Sequence, residues 1–177
     1  TIANATITVT VTANTLTYDG TAQALVTGTT SVGTIKYSLD NATWSEAVPT
    51  GTDAGKYTVY YKVEATNYET VLDSVEVTIG KATPVVTPPT AKTGLTYTGS
   101  AQNLIEAGST TGGKLVYSLD NATWSEAVPT GTEAGKYTVY YMVEEDDNYN
   151  GVTSASIEVT IANATITVTV TANTLTY

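Results

Sequence analysis

The chain has 177 residues, with seven basic residues, all of them lysine, and seventeen acidic residues, for a formal net charge of −10. Such an acidic chain would repel phosphate groups, so nucleic acid is excluded as a partner. The sequence contains no cysteine and no histidine. Disulfides, thiolate nucleophiles, imidazole bases and the usual zinc ligands are therefore excluded, and we expect neither enzyme activity nor a cofactor.

Predicted strands follow one another along the chain, each with a period of two. The first alternates Ile7, Val9 and Val11 with threonine, a later one repeats this pattern over residues 57–63, and another follows over residues 75–79. Turn signals separate these runs at Asp19-Gly20, Asp40-Asn41, Pro49-Thr50-Gly51 and Ala54-Gly55. The pattern predicts an all-β fold in which each strand buries one face.

Two internal repeats define the organisation of the chain. Residues 1–18 recur without a change at residues 160–177, and the segment from Tyr37 to Tyr61 recurs from Tyr117 with one Asp-to-Glu difference. Each long period therefore holds two modules of about 80 residues. We predict module A over residues 1–80, module B over 81–161, and the opening strand of a further module A over 162–177.

Prolines distinguish the first strands of the two modules. Module B carries Pro84, Pro88 and Pro89 where module A has uninterrupted Ile-Thr-Val-Thr-Val alternation. Proline cannot donate to a ladder of backbone hydrogen bonds, so these residues are expected at a sheet edge.

The segment Asp53-Ala54-Gly55-Lys56-Tyr57-Thr58-Val59 and its copy from Glu133 to Val139 resemble the immunoglobulin signature Asp-x-Gly-x-Tyr-x-Cys, with valine in place of cysteine. The resemblance implies that the Tyr57 and Tyr137 hydroxyls bond back to the preceding turn, as in a tyrosine corner. Together with the module length, it predicts tandem immunoglobulin-like β-sandwiches.

Each whole module carries LTY-x-G-x-AQ, then YS-x-D, then W-x-x-x-x-P-x-G-x-x-AG-x-Y-x-V-Y-Y. This order resembles the bacterial Ig-like or MBG (mostly-beta, glycine-rich) tandem repeats of bacterial surface proteins. The resemblance covers essentially the whole chain and implies an extracellular protein, either at the bacterial cell surface or secreted. It also implies a structural role, in which repeated modules form a stalk or filament that extends a head domain. It supplies no catalytic residues.

Two kinds of residue are candidates for ligand binding or modification. Trp44 and Trp124 could each stack on a sugar ring, although packing against neighbouring side chains is the stronger expectation. Asn4, Asn41, Asn121 and Asn163 each begin an Asn-Ala-Thr sequon, which marks glycan attachment in some organisms. Asn41 and Asn121 are explained at least as well as turn residues that accept a positive φ.

The acidic run from Glu144 to Asp147 is expected in the last hairpin loop of module B, close to Asp19 and Asp53. Clustered carboxylates could hold Ca²⁺, with Asp53, Asp146 and Asp147 as the candidate ligands, but the run lacks the spacing of a known calcium loop. A solvated acidic loop is the alternative that we favour.

These patterns predict a spacer whose partners are the adjacent repeat modules of the same chain. The alternative is an adhesin module that binds carbohydrate or protein weakly and gains avidity from repetition. No apolar run approaches the roughly 20 residues that span a bilayer, so no membrane insertion is expected. The apolar strand within residues 162–177 is expected to fray or to pair with another copy of the chain.

Overall fold

The computed structural model describes residues 3–174 and residue 177. These residues form strands, turns and loops, and none of them is helical. The protein is therefore all-β, as the alternating patterns predict. Within the same residues no helix is long and apolar enough to cross a membrane. Residues 1 and 2 of the predicted module A, and residues 175 and 176 of the predicted further strand, lie outside the described residues.

The chain divides into two compact units. The first is formed by Thr1–Pro84 together with Glu145–Gly151, and the second by Val85–Glu144 together with Val152–Tyr177. The short segment Glu145–Gly151 thus belongs to the first unit, although it comes from the second sequence repeat.

The first unit contains eight strands. They are β1 (Val9–Ala13), β2 (Leu16–Thr17), β3 (Gln23–Ala24), β4 (Val26–Thr30), β5 (Ile35–Ser38), β6 (Thr50–Gly51), β7 (Gly55–Val63) and β8 (Val71–Gly80). One sheet has the order β2-β8-β7-β5, in which β2 runs parallel to β8 and the other neighbours are antiparallel. The remaining strands pair antiparallel, β1 with β4 and β3 with β6.

The second unit contains nine strands. They are β9 (Val86–Thr87), β10 (Thr90–Ala91), β11 (Gln102–Asn103), β12 (Ile105–Glu106), β13 (Ser109–Thr110), β14 (Lys114–Ser118), β15 (Thr130–Gly131), β16 (Gly135–Glu144) and β17 (Val152–Ile161). One sheet has the order β14-β16-β17, and the other strands form the antiparallel pairs β9-β13, β10-β12 and β11-β15. A parallel bridge joins Thr96 to Ala162, where the first unit has the parallel pair β2-β8.

The prolines divide the first strand of the second unit. Pro88 and Pro89 lie between β9 and β10, so each of these strands pairs over only two residues. In the first unit, β1 pairs with β4 without interruption over five residues. None of the three prolines lies in a strand: Pro84 precedes β9, and Pro88 and Pro89 separate β9 from β10, which is consistent with their lack of a backbone N–H donor but differs from the expected position in an edge strand.

Each unit buries an apolar core of its own. In the first, the fully buried side chains of Leu25, Val59 and Ile79 lie in one cluster with residues from β4, β5 and β8. In the second, Leu104, Val139 and Ile161 hold the corresponding positions. The alternation of buried and exposed residues along β8 confirms the prediction for residues 75–79, since Val77 and Ile79 are buried and Glu76 and Thr78 are exposed.

The segment after β17 differs from the rest of the chain. Residues 163–174 are exposed and carry no strand in the structure. Ile166, Val168 and Val170 expose 86%, 77% and 86% of their surface, respectively. The segment is a copy of the residues around β1, so the sequence has the same strand propensity in both places but forms a strand in only one.

Candidate functional site

A turn that begins with a buried serine occurs once in each unit. In the first, Ser38 ends β5 and donates a hydrogen bond to the Asp40 carboxylate at 2.7 Å. The same carboxylate accepts the backbone N–H groups of Ala42 and Thr43 at 2.8 and 2.7 Å. Asn41, between Asp40 and Ala42, has a φ of 57°, which confirms the predicted positive φ.

The second unit repeats this turn residue for residue. Asp120 accepts the Ser118 hydroxyl at 2.8 Å and the backbone N–H groups of Ala122 and Thr123 at 2.9 and 2.7 Å. Asn121 has φ of 56°. In both turns, hydrogen bonds from the backbone N–H groups, with the largest effect from the threonine, hold the aspartate pKa well below its ordinary value.

A shallow groove lies beside each of these turns. In the first unit it has a volume of about 440 Å³ and is lined by Leu39, Asp40, Val48 and Pro49, among others. Leu39 and Val48 are 48% and 41% exposed. Part of the groove wall is therefore apolar and open to solvent.

The second unit has the same groove in the same place. Its volume is about 400 Å³, and its lining includes Leu119, Asp120, Val128 and Pro129. Leu119 is 45% exposed. Sequence analysis did not predict these grooves, because hydropathy alone assigns the leucines at positions 39 and 119 to the core.

The two tryptophans lie outside these grooves. Trp44 is half-buried, and the Lys62 ammonium lies 4.8 Å from the centre of its ring. Such a position is a cation–π contact, which occupies one face of the ring. Trp124 is also half-buried, with Met142 at the position in the repeat that Lys62 holds. Packing, the stronger of the two expectations, agrees with this arrangement.

The predicted tyrosine corner is present in both units. The Tyr57 hydroxyl donates to the Asp53 backbone carbonyl at 2.8 Å, and the Tyr137 hydroxyl donates to the Glu133 carbonyl at the same distance. The expected bond back to the preceding turn is therefore confirmed. Gly51 and Gly131 lie directly beneath the two rings, where a Cβ would approach the tyrosine Cζ atoms at 2.9 and 2.7 Å.

The acidic run begins at Glu144, the last residue of β16, and its other residues lie in the loop between β16 and β17, as predicted. Asn148 at its end binds the turn that carries Asp53: its side-chain oxygen accepts the Ala54 N–H at 2.8 Å, and its amide donates to Asp53 Oδ1 at 3.2 Å. The expected proximity to Asp53 is thus confirmed. Asp19 instead accepts the hydroxyl and the N–H of Thr21, and these hydrogen bonds lower its pKa.

The three candidate calcium ligands have other roles or positions in the structure. Asp53 accepts the Asn148 amide, and Asp146 accepts the backbone N–H groups of Asn148 and Tyr149 at 2.9 and 2.6 Å. Lys81 inserts its ammonium group here, 2.5 Å from Glu145 and 2.7 Å from the Asp146 carbonyl oxygen. Asp147, the third candidate, is exposed. In the part of the chain that the structure describes, no three carboxylates converge as a metal site would require.

The loop that contains Tyr149 also makes an aromatic contact within the first unit. The rings of Tyr18 and Tyr149 meet edge to face, with centroids 5.3 Å apart and planes at 78°. Ala82 pairs with Tyr149 through a parallel bridge. Sequence analysis placed the loop correctly but did not identify Lys81 or the tyrosine pair, because these contacts join residues far apart in the chain.

No protein-family model matches the chain, and no curated protein is significantly similar to it.

Proposed function

We propose that the chain is a structural spacer, built from tandem immunoglobulin-like β-sandwich modules of the MBG kind, in a repetitive surface or secreted protein of a bacterium. The observation that carries this proposal is that the repeated residues make the same folding contacts in both units. Asp40 and Asp120 accept the same backbone hydrogen bonds in equivalent turns. The Tyr57 and Tyr137 hydroxyls donate to equivalent backbone carbonyls. Repeated residues whose contacts serve folding are typical of a repeat protein, whose length is set by the number of modules.

The strand pairing supports the finer fold proposal. In the proposed sandwich, the sheet β2-β8-β7-β5 packs on the layer formed by β1-β4 and β3-β6, with Leu25 and Val59 between them. A tyrosine near the start of the penultimate strand, bonded to the backbone a few residues upstream, is a feature of immunoglobulin-like sandwiches. Tyr57 is the third residue of β7 and bonds to Asp53.

The mechanism of a spacer is geometric. The longest strands of the two units have ten residues, which at about 3.3 Å per residue gives modules at least ~30 Å long. Each added pair of modules would then extend the protein by a constant increment. The test is to join one, two and three 159-residue periods and to measure their maximum dimension by small-angle X-ray scattering. A linear increase supports the spacer, and a dimension that stops growing contradicts it.

A second function, weak binding by an adhesin module, is favoured by one observation: the apolar groove recurs in both units with Leu39 and Leu119 exposed. Two copies of a weak site on one chain gain avidity from multivalency. The shallow apolar wall suits the face of a sugar ring or an apolar side chain of a protein.

Glycan arrays and purified cell walls, probed with the whole chain, distinguish the two functions. The test variant combines Leu39→Ser with Leu119→Ser, and the control is Leu72→Ser, which alters a side chain that is 60% exposed but lies outside the grooves. If the wild-type chain and the control bind saturably and the double variant does not, the adhesin function is supported and the spacer function alone is contradicted. A second double variant, Trp44→Ala with Trp124→Ala, tests the tryptophans in the same way.

A further inference from the structure

One asparagine of the chain is followed directly by a glycine. Asn150 precedes Gly151, whereas every other asparagine in the sequence is followed by a residue with a side chain. Glycine has no Cβ, so its backbone nitrogen approaches neighbouring groups with the least steric hindrance. In an Asn-Gly pair this nitrogen can reach the carbonyl carbon of the preceding side chain and close a five-membered succinimide ring.

The surroundings of the Asn150-Gly151 pair leave its reacting groups accessible. Both residues are exposed, in the loop that precedes β17. Asn150 Nδ2 donates to the Lys81 carbonyl at 3.3 Å, which is long for such a hydrogen bond. Among the residues that the structure describes, no hydrogen bond uses the Gly151 N–H. The nucleophile is therefore free, the leaving amide is weakly held, and water reaches both.

Asn148, two residues earlier in the same loop, is the contrasting case. Its side chain is half-buried and makes two hydrogen bonds, one from the Ala54 N–H at 2.8 Å and one to Asp53 Oδ1 at 3.2 Å. The nitrogen that follows it is also bound, since the Tyr149 N–H donates to Asp146 Oδ1 at 2.6 Å. The loop thus contains one asparagine with both reacting groups held, beside one in which they are accessible.

We propose that Asn150 is a site of spontaneous deamidation in the folded protein, with the Gly151 backbone nitrogen as the nucleophile. This nitrogen bonds to Asn150 Cγ and gives its proton to water, while the bond from Cγ to Nδ2 breaks and ammonia leaves with a proton from water. A second water molecule opens the succinimide. Attack at Cγ gives aspartate, and attack at the main-chain carbonyl carbon gives isoaspartate. The net reaction consumes one water and releases one ammonia, and the proposal is independent of the spacer function.

The equivalent position in the first repeat already holds a carboxylate. Glu69 donates its N–H to the Ala5 carbonyl at 2.8 Å, as Asn150 does to the Ala82 carbonyl at 2.8 Å. The aspartate product should therefore keep this backbone bond and lose only the amide donor to Lys81. Isoaspartate adds one methylene to the main chain directly before β17. Hydrogen exchange at residue 150 should consequently be faster in the isoaspartate product than in the aspartate product.

The test is incubation of the whole chain at mildly alkaline pH in water labelled with heavy oxygen, followed by digestion in ordinary water and mass spectrometry. The label enters a side chain where its amide is lost during the incubation, and fragment spectra distinguish Asn148 from Asn150. We expect labelling at Asn150 to be at least about tenfold faster, which corresponds to about 1.4 kcal/mol in activation free energy. An isoaspartate-specific methyltransferase should modify the incubated chain and not the fresh chain.

Gly151→Thr is the matched variant, because Thr70 holds the equivalent position in the first repeat. It restores a Cβ next to the nucleophile, and labelling at Asn150 should become about tenfold slower. The amide protection of Val139 in the core should stay unchanged. If Gly151→Thr lowers that protection, Gly151→Ala provides the same comparison with a smaller side chain. Asn150→Asp gives the reference spectrum of the aspartate product.

Three results would overturn the proposal. Equal labelling of Asn148 and Asn150 would show that the glycine and the free nitrogen have no effect. Labelling of Asn150 that neither Gly151→Thr nor Gly151→Ala slows would exclude the Gly151 nitrogen as the nucleophile. Labelling of Asn150 in the urea-unfolded chain but not in the folded chain would show that the fold protects this residue. None of these results bears on the spacer function.

Discussion

Replacing Gly51 by alanine should destabilise the first unit by overpacking. A Cβ at this buried position would lie 2.9 Å from Tyr57 Cζ, 3.0 Å from Ile79 Cδ1 and 3.1 Å from Leu25 Cδ2. Leu25 and Ile79 are fully buried, so neither can move away without disturbing other core contacts. Overpacking of a well-packed core typically costs about 1–3 kcal/mol, and we expect Gly51→Ala to fall within this range.

Gly80→Ala is the matched control for this prediction. Gly80 ends β8, and a Cβ there would meet only the Leu16 carbonyl oxygen, at 3.5 Å, an ordinary contact distance. The equivalent position in the second unit is Ala162, which makes the bridge to Thr96. Alanine is therefore compatible with this backbone, and the free energy of unfolding should change by less than about 0.5 kcal/mol.

Urea unfolding of the two variants, followed by the amide protection of Val59 and Val139, separates the effects on the two units. Gly51→Ala should lower the midpoint for Val59 and leave that for Val139 unchanged, while Gly80→Ala should change neither. Equal midpoints for the two glycine variants would refute the overpacking argument. They would mean that the Tyr57 ring moves away from Gly51 at no cost.

Three further predictions concern hydrogen bonds. Tyr57→Phe and Tyr137→Phe should each lower the free energy of unfolding of their own unit by about 0.5–1.5 kcal/mol, as measured by urea unfolding. We expect a value near the lower end of this range, because water can reach the carbonyl group that loses its hydrogen bond. The hydrogen bonds that lower the pKa values of Asp40 and Asp120 stabilise the folded state fully above about pH 4, and this stabilisation is lost as the pH falls further. Replacing both aspartates by asparagine should therefore make the melting temperature depend less on pH below about pH 4. An unchanged pH dependence would contradict this prediction. Asn148→Ala should raise the exchange rate of the backbone N–H that its side chain binds, measured by NMR, without changing rates in the second unit.

Sequence patterns predicted the long strands and the turns that depend on one residue, although burial alternates strictly only over residues 75–79 of β8, and in β7 the residues between the buried Val59 and Val63 are half-buried. The long strands β7 and β8 follow from period-two alternation, and the positive φ of Asn41 follows from the tolerance of asparagine for that conformation. The Tyr57 corner was recognisable because its partner, Asp53, is only four residues away. In each case the information lies within a short stretch of sequence.

Contacts between distant segments were not predictable in this way. The Lys81–Glu145 ion pair and the Tyr18–Tyr149 contact each join residues more than sixty positions apart. Neither residue pair stands out by composition, because lysine, glutamate and tyrosine occur throughout the chain. The grooves were missed for a different reason: the exposure of Leu39 depends on how the turn leaves β5, and hydropathy alone assigns a leucine to the core.

The two copies of the opening segment show where local propensity stops determining structure. Both contain the same alternation of threonine with isoleucine and valine, and both can satisfy the preference of β-branched residues for extended backbone. The first copy pairs with β4, which supplies backbone partners for Val9–Ala13, and the core accepts Ile7. A strand without such an edge leaves its backbone groups to water and its apolar face exposed, as Ile166 and Val168 are. Among the described residues, therefore, this sequence forms a strand where a neighbouring strand supplies backbone hydrogen bonds, and local propensity alone does not form one.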